Sequence, residues 1–255
     1  MLAFAGSIDI PGIAMVVGPL LLIFLANGFS WRRFLIVGNQ TILDIGLLFL
    51  LIASVGLLAK QEDLFAFHLM ASMALLTVVF AFILKLPLHM LSGEVEGYKD
   101  TTHIAYKVVA IIVFVIGVYF AELYAASASA FIDSAALIYV GVSVVAIIAL
   151  NKFAGKSAPI AALSRYFPSI GLVGVVIAIV TGLQDIYELA SLTSMLSFGL
   201  LTLQYVLYLR ILLFLAVPDK ALLADGEQSD VLTTICAVAL VGVVFHMIFA
   251  SIALA

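Results

Sequence analysis

The 255 residues are 65% hydrophobic and only 10% charged, with a mean hydropathy of +1.31 and a net charge of -4. A soluble chain carries about a quarter charged residues and about half apolar ones, so this composition is that of an all-α polytopic membrane protein. It excludes nucleic-acid binding, because the few Lys and Arg are dispersed and form no basic stripe. The single Cys236 excludes an intramolecular disulfide and a cysteine-based metal cluster.

The opening MLAFAGSIDIPG lacks a basic n-region and carries Asp9, which makes it a poor signal peptide. Eight apolar segments follow, expected as spans of a hydrocarbon core of about 30 Å. The first is expected over Pro11 to Ala26, with Asp9 able to cap it. After a basic loop containing Arg32 and Arg33, the second covers Ile42 to Ala59. The third spans Phe65 to Leu84 and can continue past Pro87 with a kink. The fourth and fifth cover Val108 to Leu123 and Ala135 to Leu150. A short basic loop, NKFAGKSAPIAALSRYF, separates the fifth from the sixth. The sixth and seventh run from Ser169 to Gln184 and from Thr193 to Ala216, and the eighth from Leu232 to Ala253.

Basic residues set the orientation. Arg32, Arg33, Lys85, Lys99, Lys107, Lys152, Lys156, Arg165, Arg210 and Lys220 fall on one side and Lys60 on the other. The basic side is then cytoplasmic, with both termini outside.

The chain also repeats itself at an offset of 125 residues. DIGLLFLLIASVGLL from Asp44 recurs as SIGLVGVVIAIVTGL from Ser169, and MASMALLT ending at Thr77 recurs as MLSFGLLT ending at Thr202. Gly46 pairs with Gly171, and Lys85 with Arg210. Four helices per unit is an even number, so the units, 1–124 and 125–255, are expected to lie parallel.

The segment from Pro168 to Lys220 carries a resemblance. Pro168, Gly171, Gly174, the Leu200-Leu201-Thr202 triplet and the closing Asp219-Lys220 resemble the last two membrane helices of the MotA/TolQ/ExbB family of ion-driven motor subunits. IDIPGIAMVVG and FIDSAALIYVG look like the opening of that family's second helix. The resemblance implies a membrane subunit of a proton or cation channel complex in a bacterial inner membrane, assembled as a homo-oligomer around a single-span MotB/TolR/ExbD-like subunit. The chain departs from the family in three ways. Val175 stands where a threonine faces the family pore, the large cytoplasmic domain is missing, and the helix order is permuted. On the family's pattern the centre is lined by the sixth and seventh spans and their first-half counterparts.

Candidate residues follow from the residues themselves. Gly171, Gly174 and Gly182 offer a small-residue face for close helix packing, and Val175 lies beside it. Ser197, Gln204 and Tyr208 lie along one face of the seventh span, with Thr202 beside it and Thr77 as its repeat partner. Polar groups at bilayer depth need protein or water partners, so these residues either line a pore or bond helices together. Gly174, Gly182, Ser197 and Gln204 are expected to meet a neighbouring subunit. Asp9 and Asp133 are read either as helix caps or as ion-entry groups. Asp44 and Glu122 lie close enough to the span ends to stay hydrated. His68 with His246 is the one histidine pair that could face across helices as haem ligands. No enzyme motif, cofactor or metal site is expected. A non-conducting scaffold and a small-solute transporter remain open beside the channel reading.

Overall fold

The computed structural model describes residues 10–59, 64–92, 102–155, 159–184 and 189–217. Asp9, Cys236, His246 and the eighth predicted span lie outside them. The described residues form seven α-helices: α1 (Ile10–Ala26), α2 (Trp31–Ala59), α3 (Leu64–Leu91), α4 (Ile104–Ala125), α5 (Ser134–Phe153), α6 (Pro159–Gln184) and α7 (Leu189–Ala216). A 3-10 turn, Ala128–Phe131, joins α4 to α5. Six segments among the described residues are long and apolar enough to cross a bilayer, in α2 to α7, and α1 is a shorter apolar helix. The protein is an all-α polytopic membrane protein. Helices are the structure such a sequence must adopt, because lipid offers no partner for a free backbone N–H or C=O.

Two helices start earlier than the apolar runs predict. The Arg32–Arg33 segment, expected as a loop, is the first turn of α2: Phe34 N–H donates to Ser30 O, and Arg33 reaches across to Thr102 Oγ1 at 2.9 Å. The basic loop before the sixth span is largely helical, so Pro168 lies inside α6 rather than at its start. Leu163, Phe167 and Ile170 recur at helical spacing and pack with Val140 of α5 and Val206 of α7. That packing outweighs the backbone hydrogen bond lost at the proline. Pro159 supplies the first-turn proline instead. Helix α3 does continue past Pro87, to Leu91.

The α1–α2 connection is sharp. Asn27 Nδ2 donates to Ile23 O at 2.8 Å, and Gly28 and Phe29 adopt positive φ of 62° and 59°. Glycine takes that conformation freely, phenylalanine only under constraint. Phe29 is held by rings: its centroid lies 5.5 Å from that of Phe24 and 6.0 Å from that of Tyr106. Trp31 and Phe34 complete an aromatic cluster at this end of the bundle, the arrangement that anchors a span at a membrane–water interface.

Helix α2 is the centre of the bundle. Every residue from Leu35 to Leu57 is buried, beneath α1, α3, α4 and α7. Its closest partner is α3, as α7 is the closest partner of α6. Both pairs are built on glycine. A Cβ on Gly46 would overlap Ala81 Cβ and approach Val78 Cα, and a Cβ on Gly171 would overlap Leu203 Cδ1. Gly171 and Leu203 stand 125 residues after Gly46 and Val78. Within each half the first described helix packs on the two that follow, α1 on α2 and α3 and α5 on α6 and α7, and α1 packs on α4 as well. Between the halves, α2 packs against α7.

Candidate functional site

The buried polar residues of the bundle lie mainly on α2, which carries Asn39, Gln40, Thr41, Asp44 and Ser54, and on α7, which carries Thr202, Gln204 and Arg210. Arg210 Nη1 donates to Asp44 Oδ1 at 2.5 Å, with 0% and 1% of the two side chains exposed. The pair joins α7 to α2 across the two halves. Phe214, one turn along, places its ring under the guanidinium at 5.5 Å, a favourable cation–π geometry. A charge in this position must be neutralised within the protein, since neither lipid nor the apolar packing around it can solvate it.

A second contact lies further along the same helix. Gln204 Nε2 donates to Glu122 Oε1 of α4 at 2.8 Å, while Gln204 Oε1 is buried without a hydrogen-bond partner among the described residues. Tyr208, the next residue on that face, stacks on Phe114 of α4 with centroids 5.7 Å apart. Tyr205 turns the other way. Its hydroxyl donates to Phe131 O at 2.7 Å and accepts from Asp133 N at 3.1 Å. One phenol thus satisfies the two backbone groups freed where the chain turns from α4 into α5.

The predicted site residues fall into separate places. Gly174 faces Thr202, whose methyl occupies the space a Cβ would need. Gly199 approaches Ala178 and Val175 in the same seam, where an added Cβ would lie 2.8 Å from Ala178 Cβ. Gly182 is buried near the end of α6 and Ser197 is half-buried on α7. Thr77 donates to Ala74 O at 2.9 Å within its own helix. Thr202 is fully buried and its Oγ1 has no partner among the described residues. Thr202 and Gly174 therefore belong to the α6–α7 seam, while Gln204 and Tyr208 belong to the α4–α7 seam. The faces at Gly174 and Gln204, expected to meet a neighbouring subunit, are filled by the chain itself.

Asp133 caps α5, its Oδ1 accepting from Ala136 N at 2.9 Å, which is the capping alternative of its two readings. Asp44 corrects the expectation of a hydrated carboxylate near the span end, because α2 begins at Trp31 and places Asp44 well inside the stretch buried from Leu35 to Leu57. Glu122 is half-buried against α7 rather than free at the interface. Among the described residues no group of three or more His, Cys, Asp or Glu could hold a metal ion. His103 caps α4, its Nδ1 accepting from Ala105 N.

Arg210 is the residue the sequence reading undervalued, counting it only as a basic residue near a loop. The signal was present: in YVLYLRILLFLA the arginine has five residues on one side and six on the other, none of them charged. An arginine so placed is expected to face the bundle interior and find an acid or backbone carbonyls there. Tyr205 had no comparable signal, since a tyrosine within a span is ordinary until its hydroxyl is placed.

No family model matches the chain, and no curated protein or solved structure matches it either. The resemblance to the motor-subunit family rests on the quoted residues.

Proposed function

We propose that the chain is a membrane subunit of a proton or cation channel complex similar to the MotA/TolQ/ExbB motor subunits. The observation that supports this is the convergence on α7 of three ionisable side chains from three helices, Asp44, Glu122 and Arg210. Ionisable groups at membrane depth are costly and mark ion or proton pathways. A protein needing helix packing alone would do without them.

The finer architecture belongs to the same proposal. The chain has eight spans, the eighth being Leu232 to Ala253, arranged as parallel four-helix units 1–124 and 125–255. The packing of α1 on α2 and α3 and of α5 on α6 and α7, with the common offset of the Gly46–Val78 and Gly171–Leu203 contacts, supports the duplication. It works as a homo-oligomer in a bacterial inner membrane, with both termini periplasmic and a single-span MotB/TolR/ExbD-like subunit.

The test is flux of protons and monovalent cations into vesicles reconstituted with the full chain, alone and with any small protein that copurifies. The expected result is flux that falls in Asp44→Asn. Wild-type vesicles no leakier than protein-free ones, under both conditions, would sink the channel reading. That outcome would favour a non-conducting scaffold, which the tight glycine seams at Gly46 and Gly174 also support.

A further inference from the structure

Gln204 lies mid-way along α7 with 2% of its surface exposed, and only half of its amide is in use. Nε2 donates to Glu122 Oε1, but the carbonyl Oε1 is buried with no partner among the described residues. A buried acceptor left unmet is destabilising, so it calls for a donor. An ionised carboxylate is an acceptor only and cannot serve it, whereas a protonated one carries an O–H donor. A carboxylic acid and a primary amide held edge to edge make two hydrogen bonds at once: amide N–H to acid oxygen, and acid O–H to amide oxygen. The first of these is in place at 2.8 Å.

We propose that Glu122 binds a proton on Oε2 in the folded protein and shares it with Gln204 Oε1, making this pair a membrane-embedded proton-binding site. Glu122 is the proton-binding group and Gln204 its positioning residue. The surroundings are suited to a neutral pair. Val118 and Ala121 of α4 are buried beside Glu122, and Tyr208 is held in place by its stack on Phe114. The titratable group on the pair's own face of α7 is Tyr208; Tyr205, turned to the α4–α5 corner, and Asp133, whose Oδ1 is engaged by Ala136 N, are its next neighbours. From α2 the nearest acid in the network, Asp44, is paired with Arg210, and α1 contributes no titratable side chain. Among the described residues no cation forms an ion pair with Glu122. Its half-buried position, three residues before the end of α4, leaves a side by which the proton can exchange.

The proposal rests on the channel reading for what the proton serves, but not for whether the proton is there, so its test is independent of flux. Infrared spectra of the full chain in nanodiscs at neutral pH should contain the carbonyl band of a protonated carboxylic acid, shifting in D2O and lost in Glu122→Gln. In Gln204→Leu the band should move, because both hydrogen bonds are gone. A wild-type spectrum with no acid carbonyl band overturns the proposal, and a band unchanged by Gln204→Leu overturns the pairing. Should Glu122→Gln not fold, peptide mapping after dicyclohexylcarbodiimide treatment of the wild-type protein makes the same assignment. A modified Glu122 is expected, and an unmodified Glu122 counts against the site.

Discussion

Arg210 and Asp44 are 166 residues apart in the chain and 2.5 Å apart in the fold, joining the two most central helices, α7 and α2. Because both side chains are shut away from their surroundings, each is the condition for the other being buried. Breaking a buried pair by removing one partner costs about 3 to 5 kcal/mol, whereas replacing both by apolar groups can be close to neutral. Arg210→Met and Asp44→Leu should therefore each lower the unfolding midpoint of the purified protein in a detergent titration, and the double variant should recover most of the loss. A double variant as unstable as the sum of the singles removes the claim that the two charges are coupled.

The glycine seams differ in how much they can yield. At Gly46 an added Cβ would meet Ala81 Cβ, which cannot move without its backbone, and at Gly174 it would meet the stiff β-branched Thr202. At Gly171 it would meet the far end of Leu203, a flexible side chain, although Leu203 Cα is 3.2 Å away. Overpacking of this kind costs about 1 to 3 kcal/mol. Gly46→Ala and Gly174→Ala should be the more damaging, with Ala81→Gly restoring Gly46→Ala. Equal loss at all three glycines in the same titration would mean that backbone approach is not what limits these sites.

Tyr205 serves two backbone groups of the α4–α5 corner, so Tyr205→Phe leaves a donor and an acceptor unmet. Each buried polar group so exposed costs about 1 to 3 kcal/mol. The expected signature is local: faster amide exchange at Asp133 and its neighbours, with α2 and α3 unaffected. Unchanged exchange at the corner would show that water replaces the phenol without loss.

Asp133 holds an N-cap, and the cap requires an acceptor oxygen rather than a charge. Asp133→Ala should cost about 1 kcal/mol, while Asp133→Asn and Asp133→Ser should be nearly neutral. Flux in reconstituted vesicles should follow stability and not charge. If Asp133→Asn folds as the wild type yet loses conduction, the ion-entry role returns.

The orientation can be checked with single cysteines introduced after Cys236 is replaced. Positions beside Arg33, Lys99, Lys156 and Lys220 should be protected from an impermeant thiol reagent applied outside, and both termini should react. Labelling of either terminus from the cytoplasmic side reverses the assignment.

The helical, membrane-spanning character of the chain was legible in the sequence, and so was a small-residue face on the sixth span, though not which helix would meet it. Both are local properties: an apolar run in lipid has no choice but to satisfy its backbone within the helix, and a glycine-bearing face marks where another backbone can approach. Gly171 and Gly174 were found this way, and Gly46 only as the repeat counterpart of Gly171. Helix ends were read less well at Trp31 and Pro159, because side-chain packing beyond the apolar run extended both helices. What only the tertiary structure decided is which polar residue meets which. Asp44 and Glu122 each read as acids near a span end, Arg210 as a basic residue near a loop, and Gln204 as part of a face shared with Ser197. The structure places Arg210 on Asp44 and Gln204 on Glu122, and it sends Thr202 to a different seam. Those pairings depend on the depth and rotation at which α2, α4, α6 and α7 lock together. No periodicity along one helix contains that information, because it is set by the side chains of the helix on the other side.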